Sequence, residues 1–429
     1  METTNCMKIK FLTLLPIVIF STAVRGQQVP PAVSPVAPEY EAAPVLNASQ
    51  LLKPSILRGP HHVVLEAVPT QGFLNQYTIS SDFGMFRVRG NDLLVKRVHE
   101  IAVIAELQKV QKSDQFQRAL SAAAQKPLEL AADLIENPGR TVSNIGSGAK
   151  RLFKRFGEAS KRVVSGDGGG VSGNDVKSVI GLEKMKRKLA ADFKVDPYSD
   201  NVILQKNLES VAWAAFAGDF LIRAGTAAMS GGLGAVVSGA STSANLQGML
   251  RDKSALDLQV SNRGLLAEQG FPVDSAERFL TNRAISPTHQ TVIVHQLARL
   301  GRIPGRDEFL LLASSSQDEA DALFFQRVLQ LTAQYGAQVS KVEGLLTVRG
   351  MIALRAADGS LVLPLPLDYG FWTLETKGAA ETVLATPLPG FEPQSRVLYI
   401  TGNFSHLART NLEAAGFRVL ENVFGNLYR

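Results

Sequence analysis

Cysteine is almost absent from this 429-residue chain, and the single one, Cys6, lies close to the N-terminus. It precedes an apolar run at residues 11–20, which follows Lys8 and Lys10. This order of basic, apolar and then small residues is typical of a secretory signal, which we assign to residues 1–26, with an uncleaved anchor as the alternative. Without Cys6 the remaining chain has no disulfide, thiolate metal site or cysteine nucleophile. A disulfide-free exported chain of this size fits the periplasm or cell envelope of a bacterium.

The common catalytic, metal-binding and phosphate-binding patterns are also absent from the sequence. His61 and His62 are adjacent in a predicted strand and point to opposite faces, while His289 and His295 are six residues apart on a predicted helix. Neither pair has the helical spacing of three or four residues that one metal ion needs. A glycine-rich match at residues 168–173 follows a basic stretch rather than a buried strand, so we interpret it as a hinge. We therefore expect no metal and no cofactor.

Positive charge is concentrated in one segment of the chain. Residues 140–194 contain thirteen Lys and Arg against five Asp and Glu, a net of +8, whereas the whole chain has a net charge of +6. Within it, basic and aromatic side chains are interleaved at Lys150, Arg151, Phe153, Lys154, Arg155 and Phe156. This pattern is typical of a helix that binds an anionic membrane surface, or of a solvated helix docked by its aromatic side. Export disfavours nucleic acid as the partner.

The pattern of hydrophobic residues and turn signals predicts an α+β protein with a predominantly helical middle, a small N-terminal β-sheet and a mixed α/β C-terminal domain. After the signal we predict a proline-rich linker at 27–60, the small sheet with helices at 61–139, a basic glycine-rich connector at 140–199, a helical domain at 200–337 and the C-terminal domain at 338–429.

Several helix starts can be predicted from local signals. Asp92 precedes a helical apolar period and is the expected N-cap of the first long helix. Ser286 followed by proline is a second expected start. Asp274 with Glu277, and Ser316 with Glu319, have the spacing of capping boxes.

The C-terminal region carries strand signals. Asp358-Gly359 separates two apolar runs and predicts a hairpin. The last residues predict a strand, a helix and a strand, with Gly416 ending the helix.

Small residues dominate the stretch from residue 212 to 241. It contains Asp219 and Arg223, and residues 224–250 carry no charge. This length can span a bilayer, but few of its side chains are large and apolar. We expect a closely packed soluble helical hairpin, with a membrane-active hairpin and a mobile glycine loop as the alternatives.

Two C-terminal stretches are candidates for a pocket. One contains Asn403, Ser405 and His406, and it follows a predicted strand at the place where α/β sheets bind ligands. Ser405 is also the expected N-cap of the last helix. The other contains Asp368, Tyr369 and Trp372, for which a buried aromatic cluster is the structural alternative.

These features favour an exported, non-enzymatic envelope protein that binds a partner or an anionic membrane surface. The alternative is an exported hydrolase-like enzyme with a site in the C-terminal domain. The sequence leaves the choice between enzyme and binding protein open.

Overall fold

A computed structural model describes residues 39–124, 173–218 and 244–425, and the described residues from Tyr40 onward belong to one compact unit. The fold is α+β, as predicted, and labels below number only the described elements. The strands are β1 (Val45–Asn47), β2 (Arg58–Gly59), β3 (His62–Val64), β4 (Ala67–Gln71), β5 (Leu74–Ser81), β6 (Gly84–Arg89), β7 (Val342–Val348), β8 (Met351–Ala356), β9 (Ser360–Leu365), β10 (Tyr369–Gly370), β11 (Ser395–Ile400), β12 (Asn403–Phe404) and β13 (Phe417–Leu420). The helices are α1 (Ala48–Leu51), α2 (Pro54–Leu57), α3 (Asn91–Gln111), α4 (Asp114–Ala124), α5 (Gly173–Asp192), α6 (Val202–Gly218), α7 (Ala244–Asp252), α8 (Ala255–Glu268), α9 (Val273–Thr281), α10 (Pro287–Arg299), α11 (Arg306–Ala313), α12 (Glu319–Gln338), α13 (Leu374–Ala385) and α14 (His406–Ala414).

The N-terminal sheet is antiparallel and is built around β5, which pairs with β3, β4 and β6. Asn75, Tyr77 and Ile79 alternate along β5 and are buried, as expected for a strand with one face in the core. Helix α3 packs on this face through Leu94 and Val98, which share a core cluster with the sheet. The sheet and α3 therefore form one layer pair.

The folded region begins earlier than the sequence suggested. Residues 45–59, which were assigned to the linker, form β1, α1, α2 and β2, and Leu52 and Ile56 lie in the core of the sheet. Proline is compatible with these elements because Pro54 takes the first position of α2, where a backbone donor is not needed. Proline content alone was a poor indicator of a linker here.

Of the N-caps predicted at Ser286 and Asp92, one was confirmed and one was wrong. Ser286 is the N-cap of α10 and accepts a hydrogen bond from the His289 amide, as predicted. Helix α3 begins at Asn91 after Gly90, so Asp92 lies in the first turn and is not the N-cap.

Both predicted capping boxes were wrong. Helix α9 begins after Pro272, and the Glu277 side chain bonds Arg263 instead of capping. Asp318, two residues beyond Ser316, caps α12 by accepting from the Asp321 amide. In each case the spacing matched the motif, but the chain enters its helix at another residue.

Helix α6 lies at the centre of a helical cluster with α4 and α5. Val211, Ala212 and Trp213 are buried on successive sides of it, which is typical of a fully enclosed helix. A Cβ added at Gly181 of α5 would overlap the ring of Phe216, so these helices approach closely. Residues 219–243 of the predicted hairpin lie outside the described residues. Among the helices that the structure describes, none has the length and apolar character needed to cross a membrane.

The C-terminal sheet is mixed, with the strand order β13-β11-β9-β8-β7. The predicted hairpin joins β8 and β9, and Gly359 takes a positive φ of 77° in its turn. Strands β11 and β13 are parallel and α14 connects them, with Gly416 at a φ of 93° after the helix, as predicted. One face of the sheet packs on the helical region, where the Tyr335 and Tyr399 rings meet edge to face at 5.3 Å.

Gly305 provides a test of how the helical region meets this sheet. It has a φ of 81° before α11, and a Cβ there would overlap the carbonyl oxygen of Leu345 in β7. Gly301 has a similar φ of 73° but open space around it. We expect Gly301→Ala to lower the free energy of unfolding by about 1–3 kcal/mol through backbone strain. Gly305→Ala should cost about 1–3 kcal/mol more because of the overlap. Urea unfolding measures both, and equal losses would contradict the close contact.

Candidate functional site

The two C-terminal stretches that the sequence singled out lie side by side. Strands β10 and β12 are parallel, with Tyr369 opposite Asn403. The amide of Asn403 donates to the Asp368 carbonyl at 3.3 Å, and that of Ser405 donates to the Gly370 carbonyl at 2.7 Å. The candidates therefore form a continuous backbone surface at the carboxyl end of β11.

Asp368 joins this surface to the N-terminal sheet. Its carboxylate accepts the amide of Asn75 at 2.9 Å and the amide of Asn91, the first residue of α3, at 3.2 Å. The Phe73 carbonyl in turn accepts the amides of Asp368 and Tyr369. Helix α3 has no side-chain cap of its own, so Asp368 supplies the acceptor that its N-terminus needs. Burial raises the pKa of Asp368 to about 7, and the two amides act in the opposite direction.

A small cavity lies beside Asp368, with a volume of about 30 Å³. Its wall is formed by Leu74, Arg89, Gly90, Asn91, Asp92, Leu93, Ala320, Leu323, Phe324, Pro366, Asp368 and Thr401. This volume is enough for water but is far below that of a small-molecule site. Asp368 therefore connects two parts of the fold and borders a cavity with room for about one water molecule.

Trp372 and Ser405 meet at the carboxylate of Glu41, a residue that the sequence did not single out. Glu41 Oε2 accepts the Trp372 amide at 2.5 Å and the Ser405 hydroxyl at 2.6 Å. The Glu41 amide also donates to the Trp372 carbonyl at 2.6 Å. Burial raises the pKa of Tyr369, and the charge of Glu41 adds to this effect. The candidate turn thus holds a carboxylate that comes from the first described segment of the chain.

Ser405 is the N-cap of the last helix. Its hydroxyl oxygen accepts the Ala408 amide at 3.0 Å, which makes Ser405 the N-cap of α14 as predicted. Among the hydrogen bonds of the described residues, none joins Ser405 to His406, whose side chain is exposed. The indole of Trp372 packs in the core between the sheet and α13 and α14. These residues serve structure and the binding of Glu41.

A second cluster, which sequence reasoning missed, is a buried network of charged side chains. It contains Lys96, Arg97, Glu100, Asp196, Asp200 and Glu319. They come from α3, from the loop between α5 and α6, and from the start of α12. The network therefore ties three separate segments together.

Lys96 and Glu319 are the centre of this network. The Lys96 ammonium donates to Glu319 and to Asp196, the latter at 3.1 Å, and all three side chains are at least nine-tenths buried. Burial alone would raise the pKa of Glu319, but the positive charge of Lys96 and the hydrogen bond from His289 hold this pKa well below its usual range. Burial alone would lower the pKa of Lys96, and the carboxylates of Glu319 and Asp196 raise it instead. Both groups are therefore charged in the folded protein.

Arg97 and Glu100 extend the network along α3. Arg97 donates to Glu100 and to Asp200, both at 2.6 Å. Glu100 is completely buried and also accepts the Ser199 hydroxyl at 2.6 Å and the Asn201 amide group at 2.9 Å. Both carboxylate oxygens of Glu100 thus have partners, as buried charge requires.

Asp196, His289 and Glu319 also have the chemistry of metal ligands. One ligand atom from each lies within 4.8 Å of the others. The His289 ring is oriented by Gln326, which lies 3.0 Å from Nδ1. The Lys96 ammonium, however, binds both carboxylates and already supplies the positive charge that they require. We interpret the cluster as an ion-pair junction.

A search for residues at fixed short spacings could not find the buried charged network, because its members lie on three separate segments of the chain. One sequence signal did exist, since Lys96, Arg97 and Glu100 are charged residues inside the apolar period of α3. Charged side chains within such a period indicate buried partners elsewhere in the chain.

The predicted basic contact residues, from Lys150 to Phe156, lie outside the described residues. Helix α5 belongs to the same basic segment and is described. Its exposed side carries Ile180, Lys184, Lys188 and Asp192 at intervals of four residues, and Ile180 is 61% exposed. Leu182 and Leu189 on its other side pack in the core with α6. The helix is thus amphipathic, and its outer face carries two lysines with one aspartate at its C-terminal end, a net charge of +1.

Comparisons with protein-family models, curated proteins and solved structures give no match for this chain.

The ion network makes a sharp prediction for Glu319. Replacing it with Gln keeps the shape but leaves Lys96 and Arg97 buried with too little negative charge. We expect Glu319→Gln to lower the free energy of unfolding by about 3–5 kcal/mol, as for other broken buried pairs. Glu277→Gln is the matched control, since Glu277 pairs with Arg263 at the exposed surface, and it should cost at most about 1 kcal/mol. Similar losses in urea unfolding would show that the network is not central.

Proposed function

We propose that this chain is an exported, non-enzymatic envelope protein that binds an anionic surface, either a membrane or a partner, through its basic segment and α5. The observation that carries this proposal is the exposed row of Ile180, Lys184 and Lys188 on α5. The reading of residues 1–26 as an export signal supports the location.

The row on α5 suits an anionic surface for two physical reasons. Lysine side chains near a membrane surface contribute about 1 kcal/mol each through attraction to anionic lipids. An exposed isoleucine next to them adds apolar contact at the boundary between headgroups and acyl chains. Because α5 follows residues 140–172 directly, its two exposed lysines continue the region in which the excess positive charge of the chain is concentrated.

The candidate residues for hydrolysis form hydrogen bonds that hold parts of the fold together. Asp368 caps α3, while Trp372 and Ser405 bind Glu41. No contact of these residues favours the enzyme alternative, so we do not propose it as a second function.

Vesicle flotation of the chain without residues 1–26 tests the proposal. Vesicles of phosphatidylcholine alone are compared with vesicles that also contain phosphatidylglycerol, over a series of salt concentrations. We expect binding to the anionic vesicles only, falling as salt screens the charges. Lys184→Ser with Lys188→Ser should weaken binding about 30-fold, since two lysines contribute about 2 kcal/mol.

The matched control replaces Lys112 and Lys341, two exposed lysines far along the chain from α5, with Ser. This double variant should bind like the unchanged protein. Binding to anionic vesicles that resists salt, or that is equally weak in both double variants, would contradict the role of α5.

A further inference from the structure

The carboxylate of Glu41 occupies a site that the rest of the chain builds. Its two donors, the Trp372 amide and the Ser405 hydroxyl, come from segments 331 and 364 residues away. Trp372 precedes Thr373, the N-cap of α13, and Ser405 is the N-cap of α14. The carboxylate therefore lies between the N-termini of two helices, where the partial positive charge of each favours an anion.

The position in the sheet is also one at which ligands bind. The site lies in the loop between β11 and α14, and β11 is flanked on both sides by parallel strands, β9 and β13. In sheets of this kind, ligands bind beyond the carboxyl ends of the strands. Here that place is taken by residues of the same chain, residues 40–44, which we name the strap.

The strap is held by few contacts. Its main chain makes one hydrogen bond to Trp372, through the Glu41 amide, and one to the N-terminal sheet, from the Thr70 amide to the Pro44 carbonyl. Tyr40 packs at the edge of the C-terminal core, and Ala42 and Ala43 are exposed. If the strap leaves, the Trp372 amide and the Ser405 hydroxyl lose Glu41 as their acceptor, and water takes its place. Another carboxylate would restore both bonds.

We infer that the groove formed by Trp372, Ser405 and Tyr369 is a binding site for an extended acidic peptide, and that the strap fills it as an internal ligand. A peptide with a glutamate in the position of Glu41 would make the same two side-chain bonds and the same main-chain pairing with Trp372. The strap then limits binding by competition, because its own glutamate is tethered close to the site. This site is separate from the outer face of α5 and has the opposite charge preference.

The test uses a fluorescein-labelled peptide with the sequence of residues 37–45, APEYEAAPV, and a control peptide in which the residue corresponding to Glu41 is Gln. Each is titrated, with anisotropy as the readout, into the protein without residues 1–26 and into its Glu41→Ala variant. We expect the Glu41→Ala protein to bind the acidic peptide at least tenfold more tightly than the unchanged protein. The glutamine peptide should bind at least tenfold more weakly than the acidic one.

A second variant separates binding from folding. Adding Ser405→Asp to Glu41→Ala keeps a good N-cap on α14 but places a negative charge against the incoming glutamate. This double variant should keep its thermal unfolding midpoint close to that of Glu41→Ala and lose peptide binding. Failure of the Glu41→Ala protein to bind the acidic peptide would overturn the inference, as would equal binding of both peptides. Because vesicles play no part in this experiment, its outcome is independent of the role of α5.

Discussion

The ion pair between Lys96 and Glu319 is the constraint around which the described fold is arranged. Both side chains are buried, so separating them would remove the nearest opposite charge of each inside the protein. Lys96 lies on α3, which carries the N-terminal sheet, and Glu319 is the first residue of α12, which packs on the C-terminal sheet. This contact thus ties α3 to α12, together with the pairs of Arg89 with Asp318 and of Arg327 with Asp92.

A buried pair of this kind need not increase the net stability of the fold. Apolar residues of equal volume often stabilise a core as well or better, because desolvation of the charges offsets their attraction. What apolar residues lack is direction. Arg97, with Glu100 on one side and Asp200 on the other, fixes the rotation of α3 about its axis in a way that interchangeable apolar contacts do not.

Carboxylates also make the other long-range connections. Asp368 accepts amides from β5 and α3, and Glu41 accepts an amide and a hydroxyl at the starts of α13 and α14. Each uses donors that a helix N-terminus or a strand end leaves without an intrahelical or ladder partner. Both connections are therefore directed by hydrogen bonds, and each joins segments that are hundreds of residues apart.

The sequence predicted those features that depend on neighbouring residues. The hairpin at Asp358-Gly359 and the N-caps Ser286 and Ser405 each arise from the conformational preference of one or two residues, and all were confirmed. The N-cap assigned to Asp92 was wrong because the acceptor for the start of α3 is Asp368, which lies 276 residues further along the chain. A motif search within a short window has no access to such a partner.

In the candidate pocket, too, the sequence predicted the local features and missed the partner that lies far away in the chain. The turn containing Ser405 was chosen because loops after parallel strands hold ligands, and it does hold a carboxylate. The sequence identified the donors but not Glu41, since an isolated glutamate in a proline-rich stretch has no local pattern that marks it as a ligand. A site whose occupant belongs to the same chain offers no empty pocket and no perturbed nucleophile, and this is why reasoning from catalytic motifs found nothing to recognise. Exchange of Glu41 for the carboxylate of a peptide needs no empty pocket and no activated nucleophile. It requires only that the strap be weakly attached.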